Sequence, residues 1–336
     1  MVRSLLSISL LLFSAVFSVA GPVTAEEAKR QAQVIEQLKN AIASEPKAEA
    51  KFALIAKAMK EERNADLRRR ILETATTIPG SEIEPFLTTL LTGEEDAGLR
   101  SEAARLLGQR GSEKCLKALA QSAEKDKTTD IERGCIRGQS SARRAATFAI
   151  AELAARHPKL ADEAAAKLRA LPATIDPKDN ESLGDARIQA LYQITHDETL
   201  LKPFYARLKS TEVKERTNGV IAFRFLKIKQ APKEVVDALK DASPDVRVWA
   251  ALVLGEIGDP KTWENLMAVS VNTKEDLGVR CNAIDGVGRM KIAAAVGQIE
   301  KLLNDPEPIV QTDAAIALYR ITGKKVKQFP EGYKAD

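Results

Sequence analysis

The chain has 336 residues, with 51 Lys+Arg against 47 Asp+Glu, two His, three Cys, 44% hydrophobic and only 4% aromatic residues. That apolar content excludes wholesale disorder, and a formal charge of +4 gives no argument for nucleic acid as an obligatory partner. Abundant Ala, Leu, Glu, Lys and Arg favour helix, because these side chains lose little freedom in a helical backbone.

Residues 1–25 read as a signal peptide. Arg3 supplies a positive start, and Leu5 to Ala20 is an uncharged, mostly apolar run, shorter than the ~20 residues a bilayer span needs. An uncleaved N-terminal anchor is the alternative. Cleavage fits after Ala20 or after Ala25. Thr24 and Glu27 have capping-box spacing, and the second cut would delete that cap. The expectation is an exported protein, periplasmic or secreted, with no transmembrane segment once the leader is removed.

Residues 26–64 predict two helices, with Ile35, Leu38, Ile42, Leu54, Ile55 and Met59 facing inward, as an N-terminal cap or degenerate repeat. From 65 to 323 the chain repeats itself. The clearest copy is Ser243-Pro-Asp-Val-Arg-Val-Trp-Ala-Ala-Leu-Val-Leu-Gly-Glu-Ile-Gly-Asp-Pro260; it returns from Leu277 to Gly288 and, earlier, from Ala97 to Gly108. Weaker copies are anchored on Arg68, Arg143, Arg187 and Arg216, and the last has Gln311 in the Arg place. A period near 31 marks a supersecondary unit, and two longer gaps place insertions near 124–141 and 172–185.

Each copy reads as two antiparallel helices. Ser243 is a candidate N-cap with Pro244 at the first helical position; Val246, Ala250, Val253, Leu254 and Ile257 form one buried stripe. Gly255 and Gly258 mark close packing and the helix end, Asp259-Pro260 opens the next helix, and Asp305-Pro306 opens the final anchored one. No segment alternates with strand period. The fold predicted is all-α, a solenoid of about eight helix pairs, with residues 324–336 as a loose C-terminal tail.

At Asp245, Val246-Arg247, Ala250-Ala251, Leu254-Gly255 and Gly258-Asp259-Pro260 the chain resembles the HEAT-repeat family, and more closely its HEAT-like variants named after phycobilisome lyases. The likeness is specific for residues 240–323, good at 97–121 and loose elsewhere. It implies a right-handed superhelix of the armadillo/HEAT type. It further implies that Arg68, Arg100, Arg143, Arg187, Arg216, Asp245, Arg247 and Arg280 are structural anchors, the Arg and neighbouring Asp tying adjacent repeats together. The family's usual task is to hold another macromolecule along the concave face.

The binding face is sought five residues after each anchor, a position rotated about 145° from the buried stripe at 100° per residue. Phe148, Tyr192, Ile221 and Leu252 occupy it through the middle of the chain, with Trp249 alongside; towards the ends it becomes Arg105 and Asp285. A central apolar strip flanked by charge suits capture of a protein partner. The alternative is that repeat irregularity, curvature or the two insertions cover these residues.

Chemistry-bearing motifs are sparse. The sequence has no Gly-x-Ser-x-Gly, P-loop, Gly-x-Gly-x-x-Gly or Cys-x-x-Cys. His157 precedes Pro158, and His196 precedes Asp197; each reads as a helix-end residue. The iron-dependent hydroxylases built on HEAT-like repeats depend on several His-Glu pairs, and none occurs here, which excludes that enzymatic branch on the sequence reading. Arg68-Arg69-Arg70 and Arg143-Arg144 read as a solvated face rather than a phosphate site. Cys115 and Cys135 bracket a polar loop and could form a disulfide in an oxidising compartment; otherwise all three Cys are small apolar residues.

The expectation is therefore an exported, non-catalytic, monomeric scaffold that binds a protein, with no cofactor or metal and no nucleic acid. The alternatives are a cofactor- or chromophore-handling protein of the lyase type and a module binding envelope polysaccharide.

Overall fold

The computed structural model describes residues 24–78, 83–94, 96–126, 141–171 and 183–333. The apolar leader, Cys135 and most of both expected insertions lie outside the described residues. Among the described residues the regular structure is helical throughout, and no helix is long and apolar enough to cross a membrane. The chain divides into two compact bodies, whose described parts are residues 24–196 and 197–333.

The first body opens with α1 (Ala25–Ser44) and α2 (Ala48–Glu61). The Thr24 hydroxyl accepts the Glu27 amide at 3.1 Å, satisfying one of the amide donors that a helix start leaves unpaired. Ile35, Leu38, Ile42, Ile55 and Met59 are buried, Leu54 is half-buried, and Phe52, which the periodicity did not single out, joins the core. Then come α3 (Ala65–Thr74), α4 (Glu84–Gly93), α5 (Ala97–Arg110), α6 (Leu116–Lys125), α7 (Ala142–Arg156), α8 (Ala161–Ala170) and α9 (Leu183–Thr195), with α4 packed on α5, α6 on α7 and α8 on α9. Asn64, Asp96 and Ser141 cap α3, α5 and α7 through their side chains.

The second body contains α10 (Lys202–Leu208), α11 (Val213–Arg224), α12 (Lys233–Asp237), α13 (Pro244–Ile257), α14 (Trp263–Ser270), α15 (Leu277–Met290), α16 (Val296–Leu302) and α17 (Pro308–Thr322). The stripe on α13 is buried as its spacing requires, with Val246, Ala250, Val253 and Leu254 at 0% exposure. Each Val or Leu side chain so removed from water contributes roughly 1.5–3 kcal/mol. Gly258 ends α13 in the left-handed region at φ 70°, the conformation in which a residue lacking Cβ is least strained.

Helices bearing the anchor residues pack on one another in series, α5 on α7 and α7 on α9 in one body, α11 on α13, α13 on α15 and α15 on α17 in the other. Their close approach depends on small residues. A Cβ on Gly108 would lie 2.8 Å from the Ala149 Cα, and one on Gly255 would lie 2.7 Å from the Gly286 Cα.

Three local expectations are corrected. Ser243 sits at the N-cap of α13, but its hydroxyl makes no cap bond; its amide instead donates to Asp241 at 2.8 Å. The final anchored helix starts at Pro308, not at Asp305-Pro306, because the Asp305 carboxylate is engaged by the guanidinium of Arg280. The expected tail is packed over 324–333: Gln328 donates to the Leu303 carbonyl at 3.1 Å, and Phe329 stacks on Tyr319 with ring centres 4.8 Å apart.

Candidate functional site

The anchor residues form a ladder. Arg68 reaches Glu94, Arg100 reaches Asp126, Arg216 reaches Asp241, Arg247 reaches Glu275 and Arg280 reaches Asp305, each acid 25 to 28 residues later and in or beside the loop that closes the repeat. The same guanidinium also donates backwards to a carbonyl, as Arg100 does to Glu94 at 2.7 Å and Arg247 to Asp241 at 2.7 Å. Glu94, Asp241 and Asp305 are therefore shared rungs: the carboxylate takes the preceding anchor and the carbonyl takes the following one, Gln311 doing so for Asp305 at 2.8 Å. Arg143 and Arg187 donate to the carbonyls of Ala123 and Leu171 at 3.1 and 2.8 Å.

Electrostatics fit this reading. Hydrogen bonds from Arg216 hold the Asp241 carboxyl below its ordinary range. Burial opposes ionisation of Glu94 and Asp305, but the guanidiniums and backbone amides they accept outweigh it, and both are lowered. The implied anchor role of Asp245 is corrected: this residue is exposed in the first turn of α13, and Arg247 pairs with Glu275. Sequence reasoning missed the acids because they are Asp in some repeats and Glu in others, although Arg68, Arg100, Arg216, Arg247 and Arg280 each have one 25–28 residues downstream.

The five residues expected to line a binding strip are divided between the bodies. Phe148 on α7 is half-buried, with the Arg144 guanidinium carbon 5.2 Å from its ring centre. Tyr192 on α9 is 7% exposed and meets His196 edge-on at 6.0 Å, so it belongs to the core of the first body and is corrected as a surface residue. Ile221 on α11 and Trp249 and Leu252 on α13 are half-buried in the second body.

The more distinctive surface in the first body surrounds Arg105. Its guanidinium is clasped by both carboxylate oxygens of Glu102, and Nη1 donates to Gln109 at 2.8 Å. The carboxylates of Glu152 on α7 and Glu73 on α3 add to the field that raises its pKa, behind the Glu102 hydrogen bonds and against desolvation. Glu102 thus binds this cationic side chain, and Glu73 and Glu152 on the two neighbouring anchor-bearing helices lie within electrostatic reach of it.

Both histidines lie at helix ends. The amide of His157 closes α7, and its Nε2 lies 3.0 Å from Arg156 and 3.2 Å from the Gly111 carbonyl. His196 ends α9 in the left-handed region at φ 52°. Among the described residues no group of three or more His, Cys, Asp or Glu could hold a metal ion. Cys115 is a buried free thiol beside Glu84, its pKa pushed up to about 12 chiefly by burial. The proposed partner, Cys135, lies outside the described residues.

Residues 52–139 match the family model described as HEAT repeats. That stretch of the chain is built of HEAT repeats. The match covers the copy at 97–108, whereas the copy most regular to the eye, at 243–260, lies beyond it. A curated relative, the deoxyhypusine hydroxylase of Candida albicans, is 23% identical over 239 residues, spanning 70% of this chain and 67% of that protein. Solved structures with a similar course include human deoxyhypusine hydroxylase in complex with glycerol, at 15% identity and TM-score 0.35, covering 88% of this chain and 99% of that one. E. coli YibA aligns at 16% identity and TM-score 0.41, covering 90% and 99% of the two chains. A Kap121p mutant aligns at 14% identity and TM-score 0.34, covering 91% of this chain and 44% of its own. The curated relative is an enzyme, and this overturns the expectation of an exported scaffold without catalytic activity.

Proposed function

We propose that this protein is an enzyme related to deoxyhypusine hydroxylase, and that its substrate is a protein bearing a lysine-derived, cationic side chain. The observation that carries the reading is the extent of the likeness, 239 residues and 70% of the chain, with an enzyme named for such a side chain. The Arg105 surface supports it, since Glu102 binds one cationic side chain there and Glu73 and Glu152 add negative charge within electrostatic reach. An incoming ammonium or secondary amine would find the same carboxylates.

The donor set does not fit the iron centre of HEAT-built hydroxylases. The whole sequence holds two His, neither followed by Glu, and both are spent on helix ends. What the chain's own residues do on this reading is recognise and orient: the carboxylates fix the cationic end of the substrate side chain, and Gln109 supplies a neutral hydrogen-bonding partner beside them. At residues 240–323 the repeats are of the phycobilisome-lyase type, a reading supported by Asp245, Val246-Arg247, Ala250-Ala251 and Gly258-Asp259-Pro260.

Incubation with a protein carrying deoxyhypusine, followed by intact-mass and fragment analysis, tests the reading. Binding that depends on that residue is expected, and any change of mass is confined to it. An unchanged substrate that also fails to bind would overturn it.

A further inference from the structure

The arginine anchors use their guanidinium in two ways. Arg68 and Arg280 give Nε to a carbonyl behind them, Met59 at 3.2 Å and Ser270 at 2.9 Å, and turn Nη1 and Nη2 onto the two oxygens of Glu94 and Asp305. Arg100 and Arg216 reverse the fork: Nη1 takes the carbonyl, while Nε and Nη2 take both oxygens of Asp126 and Asp241. Arg143 on α7 follows the first pattern only as far as Nε, which donates to the Ala123 carbonyl at 3.1 Å. Arg187 on α9 follows the second only as far as Nη1, which donates to the Leu171 carbonyl at 2.8 Å. Among the described residues, neither guanidinium meets a carboxylate with its remaining nitrogens.

The cause is one substitution in the ladder. Glu94 and Asp241 each offer a carbonyl to the following anchor and a carboxylate to the preceding one. Leu171 stands at that place between Arg143 and Arg187: its carbonyl takes Arg187, and it follows Arg143 by 28 residues, as Glu275 follows Arg247. It brings a buried isobutyl group where Glu94 and Asp241 bring a carboxylate. Arg187 bears the consequence, because its Nε is buried and donates to nothing. A buried donor on a charged group is normally matched, and leaving it unmatched is costly. Helices α7 and α9 pack on one another, so these two half-buried anchors sit at equivalent positions of adjoining helices in the first body.

We propose that Arg143 and Arg187 form a binding site for a carboxylate supplied from outside the chain, taking the part that ladder acids play in the other repeats. The recognition chemistry is the ladder's own. A guanidinium presents its N–H groups in a planar fork that matches the two oxygens of a carboxylate, and such charge-assisted pairs are the stronger hydrogen bonds. The site is separate from the Arg105 surface and uses none of its carboxylates.

The test is a titration of the full-length chain with acetate and with the blocked tripeptide acetyl-Gly-Glu-Gly-amide, chloride holding the ionic strength constant. Nitrogen-15 spectra of the arginine Nε–H groups report binding, and Arg187→Gln assigns the Arg187 signal. A saturable shift of that signal is expected. Arg143→Gln with Arg187→Gln is expected to weaken binding by roughly tenfold or more. Glutamine in this register keeps the carbonyl bond, as Gln311 does to Asp305 at 2.8 Å, so the double variant retains its ties to the preceding loop. Leu171→Glu places a carboxylate on the chain itself and is expected to abolish acetate binding, with helical ellipticity reporting that each variant folds. Peptide binding tighter than acetate binding by roughly tenfold assigns the carboxylate to a protein side chain, and equal binding assigns it to a free small acid; either satisfies the proposal. An Arg187 signal that neither probe moves, or equal affinities for the parent and the folded double variant, would overturn it. So would binding that appears only when Asp176, Asp179 and Glu181, which lie outside the described residues, are replaced by their amides.

Discussion

Replacing Arg280 by Ala is the sharpest perturbation of the ladder. The Arg280 side chain is 1% exposed and that of Asp305 is 4% exposed, so the substitution strands a carboxylate away from water. Leaving one member of a buried pair unmatched costs about 3–5 kcal/mol. The Ser270 carbonyl also loses its 2.9 Å donor from Arg280, worth about 1 kcal/mol more. Against a typical stability of about 5–15 kcal/mol this is a large fraction. The comparison is Arg30→Ala, which breaks a pair with Glu62 in which the Arg is 50% exposed and solvent screens the attraction, so it should cost far less. Urea unfolding followed by far-ultraviolet circular dichroism measures both, and a double-mutant cycle with Asp305→Ala isolates the pair. If Arg280→Ala costs as little as Arg30→Ala, the ladder does not join the repeats.

Other expectations concern packing and titration. Gly255→Ala gains about 1 kcal/mol of helix propensity but drives a Cβ to 2.7 Å from the Gly286 Cα, so a net loss of about 1–3 kcal/mol is expected in thermal or urea unfolding. Burial raises the Asp313 carboxyl to about 6 despite its hydrogen bond to Cys281. A raised carboxyl pKa means that the folded state keeps its proton longer, so stability falls as pH rises from about 4 to about 6 and then levels. Asp313→Asn should remove that fall and leave the variant more stable than the parent at pH 7.5, by up to about 3 kcal/mol; equal pH profiles would contradict this. Cys115, with its thiol at about 12 and buried, should resist alkylation in the native protein at neutral pH and react only on unfolding. For a processed N-terminus, cleavage after Ala20 preserves the Thr24 cap on α1, and intact-mass measurement should find Gly21 first.

The repeats were legible because a helix stripe and an Arg recur at fixed spacing, and Gly255 and Gly258 fall where close approach and a left-handed turn require them. The acids of the ladder were harder to see, since each is defined by a contact across 25 to 28 residues rather than by a local pattern. Tyr192 illustrates a different limit. Its position on the helix points away from the buried stripe, yet the His196 ring at the end of the same helix, in the left-handed region, packs edge-on against it and helps to cover it. The packed segment 324–333 has no periodicity at all; the rings of Tyr319, Phe329 and Tyr333 and a turn at Gly323 hold it, and these become neighbours only in the folded chain. The Arg105 surface was visible as a charged position at the end of an apolar strip, but its carboxylates come from three helices.

The most direct test of the proposed activity is equilibrium binding of two peptides that differ at one residue, deoxyhypusine in one and alanine in the other. Saturable binding of the first, absent for the second and lost when Glu73, Glu102 and Glu152 are replaced by Gln, is the predicted result. Equal affinity for both peptides, or binding indifferent to the three carboxylates, would contradict the assignment.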